Sequence, residues 1–128
     1  FFFELLAVGA GGAVGAVLRF LVSGWVHRLA GFSAFPWGTL AVNAVGCLAI
    51  GLLGGLADVR QIFTPPQRLF LLIGLLGGFT TFSTFAYESY ALARSAEFFQ
   101  AGLNVALQVV LGFLFAWAGY AGASALGG

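Results

Sequence analysis

Four long hydrophobic runs limit what this 128-residue chain can fold into. A helix that crosses the ~30 Å hydrocarbon core of a bilayer needs ~20 apolar residues, and each run reaches that length. Charged residues make up only 7% of the chain, against roughly 25% in a soluble domain. The sequence therefore predicts an all-α integral membrane protein with one transmembrane domain. The four expected spans are residues 5–26, 37–57, 65–93 and 98–126.

The same features argue against several classes of function. The spans leave no room for a soluble catalytic domain, and the sequence contains no acid pair, nucleophile–base pair or cofactor motif. A net charge of +1 gives no reason to expect a nucleic-acid partner. The single Cys47 cannot form an internal disulfide and is interpreted as a small packing residue. We therefore predict that the chain is not an enzyme.

The third run is interrupted at residues 77–85, which read Gly-Gly-Phe-Thr-Thr-Phe-Ser-Thr-Phe. Glycine destabilises a helix interior by about 1 kcal/mol, and threonine is a weak helix former. We expect the helix to break near residues 77–81. Carbonyls freed there must be satisfied by protein or by an ion. The carbonyl oxygens of Gly77 and Thr80 from two copies of the chain would suit an alkali cation such as Na⁺.

Phe82 and Phe85 follow the expected break three residues apart, which places them on one face of a resumed helix. Their ring edges carry partial positive charge and attract anions weakly. The alternative is ordinary core packing. Ser83 and Thr84 either extend a polar track or bond back to the preceding turn.

Amide side chains mark one face of two other spans. Thr39 and Asn43 lie four residues apart in the second span, and Asn104 and Gln108 lie four apart in the fourth. Such residues share a helix face, and unpaired amides are unfavourable in hydrocarbon. They are therefore either interhelical hydrogen-bond partners or donors that line a route for an anion.

Arg19 and Glu88 are ionisable residues that lie away from the ends of the spans. Arg19 is ~20 Å from the start of the first span, where it either snorkels to the interface or serves a functional site. Glu88 lies one turn beyond Phe85 and could shape one end of a route. Gly11 and Gly15 precede Arg19 at the GxxxG spacing that allows close helix packing in lipid.

Arginines at the ends of the spans or in the loops are balanced between the two sides of the membrane. One side carries Arg60 and Arg68, and the other carries Arg28 and Arg94. Because cytoplasmic loops normally hold an excess of positive charge, this balance sets no preferred orientation. Such a chain could insert both ways and pair as an antiparallel homodimer. Alternatively, a small bias elsewhere sets one orientation.

Three motifs in order resemble the Fluc (CrcB) family of fluoride channels. The most specific is the nine-residue run 77–85. The stretch 37–43, Trp-Gly-Thr-Leu-Ala-Val-Asn, with Gly46 after it, is similar to that family's second-helix motif. The early glycines followed by Leu18 and Arg19 also match. The resemblance extends over the whole chain in length, number of spans and order of motifs.

The resemblance implies a dual-topology homodimer in the inner (plasma) membrane, with two pores that export fluoride passively and protect the cell from its toxicity. It implies a central structural Na⁺ held by the Gly77 and Thr80 carbonyls. Phe82 and Phe85 would line the fluoride path, and Asn43 would donate to the ion. Arg19 and Glu88 are expected at a vestibule or interface.

The other expected pore residues lie in the second, third and fourth spans, and the fourth span departs from the family's pattern. Thr39 would be a polar neighbour in the second span, and Ser83 and Thr84 would continue the polar track. In the fourth span the relatives often have small hydroxyl residues, whereas this chain has Asn104, Gln108 and Gly112 at the corresponding positions. The lower pore wall is therefore expected to differ in this chain.

Two other functions are compatible with four spans. A small dual-topology cation or drug antiporter would need an acid within the membrane to exchange protons, and Glu88 is the one candidate. A membrane subunit that transports nothing is the third possibility.

Overall fold

The computed structural model describes residues 1–127, and these fold entirely into helices and short connections. Four helical rods are long and apolar enough to cross a membrane, as the sequence predicted. We label the elements α1 (Phe2–Leu29), α2 (Trp37–Val59), α3 (Pro65–Arg68), a π segment (Leu69–Leu75), α4 (Leu76–Phe79), α5 (Phe82–Arg94) and α6 (Phe98–Gly127). The third rod therefore consists of four pieces.

The third rod begins with a well-defined cap. The Thr64 hydroxyl accepts the N–H of Gln67 at 3.3 Å, and the Gln67 side chain accepts the N–H of Thr64 at 3.0 Å. This reciprocal capping box, followed by two prolines, fixes where the helix starts. The seven-residue π segment that follows was not predicted from the sequence. Because π-helical turns are rare and favour functional sites, the third rod is unusual well before its break.

The glycines of α1 allow that helix to lie directly against the third rod. Gly11 and Gly15 are buried. A Cβ atom on Gly15 would overlap the Leu75 carbonyl oxygen and lie 2.8 Å from the nitrogen of Phe79. Only a residue without a side chain fits there, so the GxxxG spacing sets the distance between α1 and the third rod.

A second small-residue seam joins α2 to α6. A Cβ atom on Gly51 would lie 3.0 Å from the Cα of Ala116, and one on Gly119 would lie 2.6 Å from the nitrogen of Leu52. In lipid, this close approach lets van der Waals contacts hold the helices together. The seam holds α2 and α6 as a pair, against which the broken third rod is positioned.

The break in the third rod is confined to two residues. Thr80 (φ −87°, ψ 156°) and Thr81 (φ −149°, ψ 119°) are extended, and the helix resumes at Phe82. Gly77, Gly78 and Phe79 remain helical in α4, so the unwound stretch is narrower than the expected 77–81. The reason is local: Thr81 is the N-cap of α5, a position that takes extended backbone angles.

Candidate functional site

An open groove of about 330 Å³ lies where α2, α6 and the broken third rod meet. We call it the break groove. Its polar lining comes from Asn43, Thr80, Thr81 and Gln108, and both Phe82 and Phe85 border it. The fold thus brings the second-span amide, the break, the aromatic pair and one fourth-span amide to one place.

Asn43 holds the break in its extended shape. Its Oδ1 accepts the N–H of Thr81 at 2.9 Å, and its Nδ2 donates to the Thr81 carbonyl at 2.9 Å. The same Nδ2 donates to Gln108 Oε1 at 3.0 Å. These bonds use both N–H groups of the Asn43 amide. Asn43 therefore acts as a cross-link between helices, which is one of the two roles that the sequence left open.

The carbonyls of Gly77 and Thr80 both lose the donors that a continuous helix would supply. The N–H of Thr81, four residues after Gly77, donates to Asn43. The N–H of Thr84, four residues after Thr80, donates to the Thr81 hydroxyl at 3.2 Å. Both are backbone oxygens, the kind of hard ligand that Na⁺ accepts. A Cβ atom on Gly77 would meet nothing within 4 Å, so this side of α4 is open to a neighbour.

The Thr80 side chain is turned away from that role. Its hydroxyl donates to the carbonyl of Leu76 at 2.9 Å, which is the back-bonding to the preceding turn expected of threonine. The hydrogen of the Thr80 hydroxyl is therefore already engaged within the third rod. Among residues 1–127, no cluster of three or more His, Cys, Asp or Glu side chains is placed to hold a metal ion.

Arg19 reaches the break from the side of α1. Its Nε donates to the carbonyl of Gly78 at 3.1 Å, and the side chain is half-buried. In a continuous helix the N–H of Phe82 would donate to the Gly78 carbonyl. Because Phe82 is the first residue of α5, Arg19 supplies that donor instead. Arg19 thus stabilises an interrupted backbone from α1, while Asn43 does so from α2.

The two phenylalanines after the break meet edge to face. The ring centroids of Phe82 and Phe85 are 5.4 Å apart, with 71° between the planes. Phe82 is 77% exposed in the single chain, so its ring is not part of a closed core. An exposed ring beside the polar groups of the break groove offers an edge to an anion.

The fourth-span amides occupy different positions. Gln108 lines the break groove. Asn104 is 0% exposed and lies behind the groove wall, where its Nδ2 donates to the Ser89 hydroxyl at 2.8 Å. The Nε2 of Gln108 reaches Asn104 Oδ1 at 3.4 Å. Asn104 is therefore joined to the groove through Gln108.

Thr39 and Glu88 lie in a second cavity of about 590 Å³, which we call the outer cavity. His27 and Glu97 also line it, so this cavity is more polar than the break groove. One carboxylate oxygen of Glu88 is buried and has no hydrogen-bond partner among residues 1–127. Although Thr39 and Asn43 are four residues apart on one helix, the fold places them in separate cavities.

The two remaining hydroxyl residues of the nine-residue run, Ser83 and Thr84, also lie in different surroundings. Ser83 is exposed, whereas the Thr84 hydroxyl accepts a hydrogen bond from the Thr81 hydroxyl at 3.1 Å. Thr84 therefore contributes to the cap of α5. Whether Ser83 and Thr84 touch an ion remains a prediction from the sequence.

Sequence reasoning assigned no role to three residues that shape the site. Thr81 is both the N-cap of α5 and the partner of Asn43. Ser89 is the last residue in a series of hydrogen bonds that runs from Asn43 through Gln108 and Asn104. A Cβ atom on Gly46 would overlap the Thr80 methyl group, so Gly46 makes room for the break. The spacing of Thr81 and Thr84, typical of a helix cap, was the one available signal.

Comparison with known proteins gives consistent matches over most of the chain. A family model described as "CrcB-like protein, Camphor Resistance (CrcB)" matches residues 6–120. A relative from Geobacter sulfurreducens named "Fluoride-specific ion channel FluC" is 51% identical over 115 residues, which are 90% of this chain and 92% of the relative.

Two further relatives have similar names. "Fluoride-specific ion channel FluC 1" of Methanosarcina acetivorans is 42% identical over 117 residues, which are 91% of this chain and 88% of the relative. "Fluoride-specific ion channel FluC" of Hydrogenovibrio crunogenus is 44% identical over 116 residues, which are 91% of this chain and 87% of the relative. The match of the family model begins in α1 and ends in α6, so it includes residues of all four rods.

Proposed function

The chain belongs to the family described as CrcB-like protein, Camphor Resistance (CrcB), and on that premise we propose that it is a fluoride-selective channel that exports F⁻ passively. The observation that carries the proposal is 51% identity, over nearly the whole chain, to a relative named as a fluoride-specific ion channel. The chain is a multi-pass membrane protein of a channel family and is not an enzyme.

The break groove supports the proposal through the kind of contacts it offers. Its polar groups are neutral amides, hydroxyls and ring edges, with Asn43, Gln108 and Phe82 among them. Neutral dipoles can replace part of an anion's hydration shell without trapping the ion, and a channel requires binding that is weak enough for release.

Passive export would still protect a cell in acid surroundings. HF crosses lipid as a neutral molecule and dissociates in the more alkaline interior, so F⁻ accumulates there. A selective conduit lets the ion leave down its electrochemical gradient. Neither proton coupling nor ATP is required, and neither a second domain nor a nucleotide motif is needed.

We further propose that two chains pair in antiparallel orientation and form two pores. The balance of arginines on the two sides supports this arrangement. So do the open side of the break groove and the exposed Phe82, because a partner could close the groove and cover the ring. Antiparallel pairing would also bring two copies of the break to the two-fold axis.

A central Na⁺ fits the residues found at that position. Gly77 and Thr80 present carbonyls without their helical donors, and the surface beside Gly77 is open. Two chains would supply four such oxygens. The bound ion would hold the breaks together and would add positive potential near the anion routes.

Fluoride efflux from liposomes containing the purified protein tests the main proposal. We expect rapid F⁻ release, measured with a fluoride electrode, and little Cl⁻ release from matched chloride-loaded vesicles. Equal fluxes of the two anions would remove fluoride selectivity from the proposal. No flux of either anion would favour the non-transporting subunit.

The antiporter alternative depends on the buried, unpartnered Glu88 oxygen in the outer cavity. An antiporter would couple the efflux of its substrate to proton movement, and the Glu88→Gln variant would lose that efflux. Fluoride release that persists without a pH gradient would argue against it.

A further inference from the structure

A third groove, of about 460 Å³, opens between the beginning of α1 and the beginning of the third rod. We call it the rim groove. Its lining consists of two charged residues, Glu4 and Arg68, and four apolar residues, Pro65, Leu69, Leu72 and Ile73. The two charged residues have no part in the fluoride route proposed above, so the groove needs a separate explanation.

The packing of α1 against the third rod places both charged residues at the same membrane surface. A Cβ atom on Gly11 would overlap the carbonyl oxygen of Phe70, and one on Gly15 would lie 2.8 Å from the nitrogen of Phe79. Residue numbers therefore rise together along the two rods, which run parallel. Each charged residue lies within ~5 Å of the start of its rod, at 1.5 Å per residue. This is the depth at which lipid headgroups meet the protein.

The π segment forms most of the apolar wall of the rim groove. Gly74 is the residue of this segment that lies against α1, since a Cβ atom there would be 2.8 Å from the carbonyl oxygen of Val8. Its neighbour Ile73 is 60% exposed and lines the groove. At 1.5 Å per residue, Ile73 lies ~7 Å deeper in the membrane than Arg68. The groove is therefore charged at the membrane surface and apolar below it, which is the order of polarity along a phospholipid.

The charges on the rim groove suit a ligand that carries both signs. Glu4 and Arg68 are both exposed, and within residues 1–127 no ion pair joins them. A guanidinium binds a phosphate through paired N–H groups, and a carboxylate accepts the N–H groups of an ammonium ion. A phosphoethanolamine headgroup carries a phosphate and a primary ammonium at the two ends of a short linker. It would therefore satisfy both side chains at once.

We propose that the rim groove binds a phospholipid of the phosphatidylethanolamine class, with its phosphate at Arg68, its ammonium at Glu4 and an acyl chain against Ile73. A phosphatidylglycerol headgroup would satisfy Arg68 but would bring no cation to Glu4. A phosphatidylcholine headgroup is positively charged but has no N–H group to donate. The proposal depends on the spans and their packing and is independent of the ion that the protein carries.

The first experiment compares three lipids by native mass spectrometry of the full chain in detergent. Phosphatidylethanolamine, phosphatidylglycerol and phosphatidylcholine with identical acyl chains are titrated separately. We expect the first to bind at a roughly tenfold lower concentration than the other two, the factor that one hydrogen bond to a charged group supplies. Equal affinity for the three lipids would overturn the proposal. This comparison uses the wild-type protein, so it decides the question even if a variant does not fold.

The second experiment removes each charge in turn and repeats the lipid titrations. Glu4→Gln should abolish the preference for phosphatidylethanolamine over phosphatidylcholine, because the carboxylate that accepts the ammonium protons is gone. Arg68→Gln should weaken phosphatidylethanolamine and phosphatidylglycerol alike, by roughly tenfold. Arg94→Gln is the matched control, since Arg94 ends α5 at the opposite end of the third rod, and it should keep the wild-type preference. An unchanged preference in folded Glu4→Gln would refute the assignment of the ammonium site.

The third experiment fills the apolar part of the rim groove without changing its charge. Ile73→Trp should lower phosphatidylethanolamine binding, whereas Leu21→Trp, at a 56% exposed position of α1 outside the groove, should not. The competing occupant is a second copy of the chain, because Leu72 lines both the rim groove and the break groove. If Ile73→Trp lowers the dimer fraction while the wild type shows no preference among the three lipids, a second copy covers the groove and the lipid assignment is wrong.

Discussion

Asn43 and Thr81 exchange hydrogen bonds in both directions, each 2.9 Å long. The asparagine side chain thus pairs with the backbone of the break as a neighbouring strand would. Because lipid offers no water to satisfy exposed backbone groups, an interrupted helix within a membrane needs such a partner. The contact connects residues that are 38 apart in the sequence.

This pairing predicts that Asn43→Asp will damage both stability and transport. The carboxylate keeps the acceptor for the Thr81 N–H but places oxygen opposite the Thr81 carbonyl and Gln108 Oε1, where donors are needed. We expect a loss of about 1–3 kcal/mol in the free energy of unfolding for each buried group left unsatisfied, with fluoride efflux strongly reduced. Chemical unfolding in detergent and liposome efflux measure the two effects.

Gln67→Glu is the matched control for that substitution. It makes the same change from amide to carboxylate, but at an exposed position where the side-chain oxygen alone is used, to accept the Thr64 N–H. We expect near-wild-type stability and flux. An Asn43→Asp protein that behaves like this control would show that the donors of Asn43 are dispensable.

The aromatic pair predicts a transport defect without loss of folding. Replacing Phe82 and Phe85 together by isoleucine keeps the apolar volume roughly constant but removes the ring edges that attract an anion. We expect fluoride efflux to be abolished while the protein elutes at its wild-type position in size-exclusion chromatography. Phe113→Ile is the control, because Phe113 and Phe82 are both 77% exposed. Undiminished flux in the double variant would rule out the aromatic-edge role.

The seam between α1 and the third rod predicts a stability difference between two glycines on one helix. A methyl group on Gly15 would overlap the Leu75 carbonyl, whereas one on Gly9 would meet nothing within 4 Å. We expect Gly15→Ala to lower the free energy of unfolding by about 1–3 kcal/mol through overpacking. Gly9→Ala should be neutral or slightly stabilising, because alanine favours helix. Equal thermal stability of the two variants would contradict the close packing.

The proposed cation predicts that stability depends on sodium. A ligand that binds only the folded state stabilises it in proportion to the logarithm of its concentration. We therefore expect the melting temperature to fall when Na⁺ is replaced by N-methylglucamine at constant ionic strength. A melting temperature independent of sodium would exclude the structural ion.

Thr80→Ala separates backbone from side-chain ligands in the same measurement. The Thr80 hydroxyl already donates to the Leu76 carbonyl, so its removal should leave the sodium dependence intact. If Thr80→Ala abolishes that dependence, the ligand is the hydroxyl and the assignment of the carbonyl is wrong.

Much of the architecture could be predicted from local sequence. Hydropathy alone placed the four rods close to their observed ends, because an apolar helix in lipid satisfies its own backbone. The capping residues Thr64 and Thr81 are likewise local signals. The π segment from Leu69 to Leu75 was not predicted, because its apolar residues would suit an α-helix equally well. Its contact with the α1 glycines is a tertiary feature.

The roles of the polar residues could be predicted only in part. The sequence identified Asn43, Asn104 and Gln108 as amides that must be satisfied, but not which partners satisfy them. It placed Thr39 beside Asn43, although the fold puts them in separate cavities. Helical spacing gives the face on which a side chain lies, whereas the neighbouring helix decides what it meets there.

The sequence by itself determined the membrane class, the four rods, the interrupted third rod and the residues from which a family could be identified, because each depends on local composition or on a short motif. Only the tertiary structure decided that the break is two residues wide and that both donors of Asn43 are already used. The bonds from Asn43 span 38 residues to Thr81 and 65 to Gln108. Orientation of an amide depends on its partners, and those partners meet only when the helices pack.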